Sequence, residues 1–392
     1  MSVSAAVSSD DSFPCFSDME YQRRRRAVRE KMEGDDIAVL VVYGSRGREA
    51  ASIPYLCNFL VTAKAYLLFP GLGDPALFVQ FYNHVPLAQR LANIGDVRWG
   101  GVNNAVTIAD ELKSQKLDRV RIGVVGELPW ADAQALRELL PHVELVNWTG
   151  PFLEIRAIKS AEEIERMEHA AALSDRGMEA LARELRPGLD ERDLPRIVEQ
   201  TYLGEWGTNE IHFMTTTSMH EPRICVPAQF SAARKIGRGD VLITEVSASY
   251  WGYPAQILRP YAIGEPPTDH YAMLYEMCER AFNGITAALK PGCTAEEVVA
   301  AVDFIAEAGF STYDDLVHGY GGGYLPPVLR DRSTLHVPVP DYRFQENMTV
   351  VVQPNVITRD EKSGVQLGHL VRITATGCEP MHRFPLTFTV CG

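Results

Sequence analysis

Between Gly239 and Pro260 the chain reads GDVLITEVSASYWGYPAQILRP, and two polar residues in it, Glu245 and Gln256, are set among apolar positions. Val241, Ile243, Val246 and Ala248 recur before an aromatic turn, Tyr250-Trp251-Gly252-Tyr253, and Ile257 and Leu258 resume the apolar run. This predicts a β-hairpin whose pairing brings Glu245 and Gln256 to one face of a sheet. Three further stretches carry groups able to join them: His318 in LVHGYGGGYLPP, Gln353 in MTVVVQP, and His369 in GVQLGHLV. An imidazole exchanges protons near neutral pH and a carboxylate can orient it, so Glu245, His318 and His369 are candidate acid-base groups. Among the cations, Arg330 and Arg332 suit a substrate carboxylate, because a guanidinium grips it with two parallel hydrogen bonds. Tyr253 is a candidate for the pocket wall, beside Tyr320 and Tyr324.

Elements that could position these groups are legible along the chain. In the first part, helical patterns (Met19 to Met32, Val85 to Ile94, Ala105 to Lys113, Ala131 to Leu140) alternate with apolar strands. The strands are Ile37 to Val42, Ala65 to Phe69, Ala76 to Gln80, Arg121 to Val125 and Val143 to Val146. Such alternation predicts an α/β domain. No GxGxxG follows the first strand, which argues against a dinucleotide site. At Ser160-Ala-Glu-Glu163 a capping box opens a long amphipathic helix, and a second box at Thr294-Ala-Glu-Glu297 opens one expected to reach Ala308. Helices are also expected over Arg192 to Tyr202 and Tyr271 to Leu289.

These stretches resemble the creatinase, aminopeptidase P and prolidase group of peptidase family M24. Arg156, Lys159, Glu163 and Ile164 match the R-x-x-K-s-x-x-E-I signature that opens that group's catalytic domain, and Gly239-Asp240 with the following strand matches its first hairpin strand. The resemblance implies an α/β N-terminal domain over residues 1–152, with 1–18 a loose tail, and an α+β pita-bread catalytic domain over 153–392. Family members hold two divalent metals on carboxylates and a histidine. At those positions stand Glu245, Gln256, His318, Gln353 and Gly368, which leaves one carboxylate. Hard cations need several anionic oxygens, so the expectation is a metal-independent, creatinase-like hydrolase (or lyase) acting on a C–N bond of a small polar substrate, with no cofactor. Gln256 and Gln353 would then bind substrate. The family also has a proton-shuttling histidine ahead of the first hairpin strand, for which the resemblance offers His220 as base and nearby Cys225 as nucleophile or pocket residue. The alternatives are a peptidase with one divalent metal on Glu245, His318 and His369, against which strand alternation counts, and a non-catalytic binding protein. The resemblance further implies a homodimer, with Arg46 or Arg48 approaching the partner's site.

Composition narrows the class. Lys and Arg number 38 against 51 Asp and Glu, a net charge of -13, which argues against nucleic acid or an anionic membrane as partner. The basic run Arg23 to Arg26 reads as a solvated helix face. Seven cysteines without CxxC spacing suit a reducing cytoplasm, and no apolar run approaches the ~20 residues of a membrane span. The first eighteen residues lack the apolar stretch of a signal peptide.

Overall fold

The computed structural model describes residues 13–46, 51–332 and 337–392. The chain divides into two compact units, Met1–Ile155 and Arg156–Gly392. The division falls inside a helix, between Ile155 and Arg156, close to the expected boundary after residue 152.

In the first unit the elements run α1 (Asp18–Gly34), β1 (Val39–Ser45), α2 (Ser52–Cys57), β2 (Lys64–Pro70), β3 (Ala76–Val79), α3 (Val85–Leu91), β4 (Asp96–Trp99), α4 (Asn104–Ser114), β5 (Arg121–Val125), α5 (Trp130–Leu139), β6 (Glu144–Asn147) and α6 (Thr149–Ala157). The sheet order is β4-β3-β2-β1-β5-β6. The inner strands are apolar on both faces, as expected of strands covered on both sides, and Val39, Val41, Tyr66 and Phe78 pack with Ile108 and Leu112 of α4. Two expectations are corrected here. The tail was expected to run loose through residue 18; residues 1–12 lie outside the described residues, but Phe16 is buried with the Arg24 guanidinium 3.9 Å from its ring centre, and Ser17 caps α1. Nor is the basic run a uniformly solvated face. Helical spacing puts Arg24 on the same side as Tyr21, Val28 and Met32, where it is buried and bonded to Glu20 (2.6 Å), while Arg25 reaches the Leu56 carbonyl.

The second unit continues with α7 (Ala161–Glu184), α8 (Leu194–Glu199), β7 (Gly207–Ser218), β8 (Asp240–Tyr250), β9 (Tyr253–Leu258), β10 (Pro260–Ile263), α9 (Asp269–Ala288), α10 (Ala295–Ala300), α11 (Phe304–Glu307), β11 (Val317–Tyr320), β12 (Tyr324–Leu329), β13 (Thr349–Val352), β14 (Asn355–Ile357), β15 (Gly364–Gln366), β16 (Gly368–Ile373), β17 (Cys378–Pro380) and β18 (Thr389–Cys391). Its main sheet has the order β12-β11-β13-β16-β9-β8-β10-β18, with β7 also on β8 and β17 on β16. One apolar cluster holds α9 and α10 to the sheet through Leu274, Phe282, Val299, Val350 and Val371. Another packs α7 and α8 through Met178, Leu181, Ile197, Val246 and Ile257. This is the pita-bread architecture.

Helix expectations needed two adjustments. The helix expected to reach Ala308 breaks after Ala300, because Val299, Val302 and Ile305 point inward at a spacing of three and the intervening amides bond to carbonyls three residues back. Pro195 sits in the first turn of α8, which is preceded by a short 3₁₀ turn and ends at Glu199, well short of Tyr202.

Candidate active site

The expected hairpin is present. Tyr250 pairs with Tyr253 around Trp251 and Gly252, both at positive φ (47° and 81°), the two-residue loop whose twist suits antiparallel strands. Ser247 lies opposite Gln256, so Glu245, two residues earlier, shares their face. Gln256 Nε2 donates to Glu245 Oε1 (3.1 Å) and to Gln353 Oε1 (2.6 Å). Gln353 follows β13, and on the next strand His318 lies opposite Val351, on the face that Gln353 shares.

Between β13 and β9 runs β16, whose Gly368 lies opposite Leu258. A Cβ there would come within 1.8 Å of the Val352 carbonyl oxygen. The glycine is therefore a requirement of the backbone, and no carboxylate side chain can stand at this position.

His318 is fully buried, stacks on Tyr324 (4.0 Å between ring centres, 17° between planes) and sets Nδ1 3.1 Å from the Gly319 carbonyl. Tyr320 donates to Ser247 Oγ (3.3 Å). Loop 321–323, with three successive glycines at positive φ, is gripped from the start of the unit: Arg156 donates to the Gly322 carbonyl (2.6 Å), and a Cβ at Gly321 would come within 2.6 Å of Lys159 Cε. Two of the signature residues, Arg156 and Lys159, thus hold this loop.

Electrostatics follow from burial. Glu245 keeps 5% exposure and its carboxyl is pushed up to about 8, first by burial and then by the charges of Asp314 and Asp315. Burial holds His318 down to about 4. At neutral pH the cluster is a protonated acid, a neutral imidazole and two amides. Gln256 Oε1 is buried with no hydrogen-bond partner among the described residues, whereas the Gln353 side chain reaches the His318 ring and partly offsets the effect of burial on it.

Other expected site residues lie elsewhere. His369 pairs opposite Ile257 and faces α9, with Nδ1 3.1 Å from Arg259 Nη2 and its ring against Phe282. Strand alternation separates it from the Gly368 side, so it cannot complete a set with Glu245 and His318. His220 is exposed beyond the far end of β7, bonded to Glu265 (2.6 Å). Cys225 lies beneath β14 and β15, its carbonyl accepting from Asn355, and burial pushes its thiol up to about 11. Tyr253 donates to Glu163 (2.9 Å), tying the hairpin to the start of α7. Arg332 pairs with Glu296 and Asp303 on the surface. Arg330 pairs with Asp315 (2.6 Å) and so borders the acids next to Glu245. Asp314, which accepts from Gln366 (2.9 Å), and Asp315 were missed, although two adjacent acids shortly before His318 were a visible signal.

Comparison with known proteins bears on this arrangement. Residues 165–375 match the family description "Metallopeptidase family M24", and residues 24–158 match "Creatinase/Prolidase N-terminal domain". An Xaa-Pro dipeptidase of Pyrococcus horikoshii is 26% identical over 331 residues, 83% of this chain and 88% of that one. The probable dipeptidase PepE of Mycobacterium tuberculosis is 32% identical over 198 residues, about half of each chain. In fold, the Xaa-Pro dipeptidase from Bacillus anthracis superposes with a TM-score of 0.80 at 21% identity, covering 94% of this chain and 99% of that one.

The family match overturns the expectation of a protein without a cofactor, since its description is of metallopeptidases. Tested against the residues present, two bridged cations do not fit: the positions offer one carboxyl, two amides, one imidazole and a glycine that admits no side chain. Among the described residues no group of three or more His, Cys, Asp or Glu is placed to hold an ion. With a match to more than half its length and the same two-domain architecture, the chain belongs to metallopeptidase family M24.

Proposed function

We propose that the protein hydrolyses a C–N bond in a small dipeptide-like substrate at the Glu245, Gln256, His318 and Gln353 cluster. Relatives named as dipeptidases support the bond class. The observation that carries the location is the convergence of these side chains on one face of the main sheet. In this reading Glu245, protonated at neutral pH, is the proton donor, and neutral His318 is the acceptor. Gln256 and Gln353 hold the substrate's polar groups, and Arg330 stands at the border with Asp315 to meet a carboxylate.

The test is release of free amino acids from a panel of dipeptides, Xaa-Pro members included, by purified protein assayed with added Mn²⁺ or Co²⁺ and with chelator. Cleavage of at least one member, lost in Glu245→Ala and His318→Ala, is the expected outcome; no cleavage under any condition overturns the reading. We further propose that the protein acts in the cytoplasm, which seven unpaired cysteines support, and as a homodimer. No helix among the described residues is long and apolar enough to cross a membrane. Of the two arginines expected near the partner's site, Arg48 lies outside the described residues.

A further inference from the structure

The arginines of α1, Arg23 to Arg26 and Arg29 one turn on, play no part in the cluster on the main sheet. Their charges are met unequally. Arg23 and Arg24 share the Glu20 carboxylate at 2.8 and 2.6 Å, and Arg26 lies 3.9 Å from Glu30. Arg25 and Arg29 bond instead to neutral acceptors. Arg25 donates to the Leu56 and Asn93 carbonyls and to the Asn93 side chain, and Arg29 to the Pro70 and Gly73 carbonyls. These bonds fix two planar guanidiniums in place without cancelling their charge. Among the described residues no carboxylate pairs with either, and Nη1 of each is left over as a donor. Four residues apart on one helix, the two heads are neighbours; burial, and with it the charge of Arg29, holds the Arg25 guanidinium below its ordinary range.

Both side chains line a cleft of about 810 Å³ that lies wholly in the first unit, a size within the ~300–1,000 Å³ usual for small-molecule sites. Its floor is apolar, made by the buried Met32, Ile37 and Pro70 with half-buried Leu117. A Cβ at Gly71 would stand 4.0 Å from the Met32 methyl, so glycine there leaves the floor bare. Leu72, 95% exposed, forms the lip. Two acids also line the cleft, at one end of it: Glu30 lies beside Arg26, and Glu33, a turn beyond Arg29, makes no ion pair with it among the described residues. The other end is left cationic.

We propose that this cleft binds a small organic anion with an apolar body, its head on the Arg25 and Arg29 guanidiniums and its body over Met32, Ile37 and Pro70. A neutral ligand would leave the fixed charges unmet, a cation would be repelled by them, and an inorganic ion would leave the apolar floor in water. The site shares no residue with the Glu245 cluster, so it stands or falls apart from the hydrolase reading.

Octanoate, octanol and octylamine share one chain and differ in the charge of the head, and acetate is the head alone. Each is titrated into the full chain at low salt and followed by isothermal calorimetry. Octanoate is expected to bind at least tenfold more tightly than any of the other three, and at least tenfold more weakly to Arg29→Gln. Leu72→Glu alters an exposed side chain and sets a carboxylate at the lip, where it repels the bound one; a loss of about threefold or more is expected. If Arg29→Gln does not fold, because Arg29 also holds the 70–73 turn, the ligand series and Leu72→Glu still decide. Octanol or octylamine bound as tightly as octanoate overturns the proposal, and so does acetate bound as tightly, which would mean that the apolar floor takes no part. Octanoate unbound at millimolar concentration also overturns it, as does octanoate bound undiminished by the folded variants, which would place the anion elsewhere.

Discussion

Gly368 and Lys159 carry consequences that neither composition nor motif spacing discloses. Placing a carboxylate at residue 368 is not a matter of one substitution, since its Cβ would collide with the Val352 carbonyl. Gly368→Ala is expected to cost more than ~3 kcal/mol or to prevent folding, measured by urea denaturation; a variant within ~1 kcal/mol of the native protein would contradict the steric account. Lys159 is buried, donates to the Ala157 carbonyl (3.0 Å), and is lowered by burial to about 7. Unfolded, it titrates near the ordinary 10.5. Between those values the unfolded chain holds a proton that the folded chain lacks, so stability falls as pH drops from 10.5 through 7. Lys159→Met removes that dependence, and its stability relative to the native protein should rise by ~2 kcal/mol or more between pH 10.5 and pH 7. Melting curves at the two pH values check it; an unchanged difference contradicts it. Residue-level legibility in the sequence was uneven. Glu245, Gln256, His318 and Gln353 were found because each sits in a motif. His220 and Cys225 lie near the first hairpin strand in the chain, but β7 carries that loop away from the cluster. His369 was included for its chemistry although alternation turns it toward α9.

At the scale of elements, the site depends on five neighbouring strands and one glycine loop. The β8–β9 hairpin was legible to the register, because a positive-φ Trp-Gly turn between alternating strands admits one pairing. Crossing strands were not legible: β16 separates β13 from β9, and only that order explains how Gln353, about a hundred residues on, meets Gln256. The loop at 321–323 depends on a contact still more distant in the chain, Arg156 to the Gly322 carbonyl. Arg156→Ala should lower kcat/KM about tenfold by loosening the loop beside Tyr320 and Tyr324, with the circular dichroism spectrum retained, and Arg156→Lys should recover little because lysine lacks the planar fork. Native kinetics in Arg156→Ala would show that the loop holds itself.

At the scale of the molecule, helix and strand alternation made the first unit legible as α/β, while the two-domain architecture came from the family resemblance that both family matches support. Tertiary contacts moved one detail: helical spacing draws Arg24 into the core of the first unit. The proposed homodimer is checked by light scattering at micromolar concentration, where twice the 43.6 kDa chain mass is expected and a monomer mass would contradict it. The central claim is that the neutral cluster on the main sheet breaks the bond. It is tested most directly by kcat/KM of His318→Asn and Glu245→Gln, beside the native protein, on the best-cleaved dipeptide. The account predicts a fall of at least a hundredfold in each with the melting temperature within a few degrees of native; undiminished turnover in both variants would place the chemistry elsewhere.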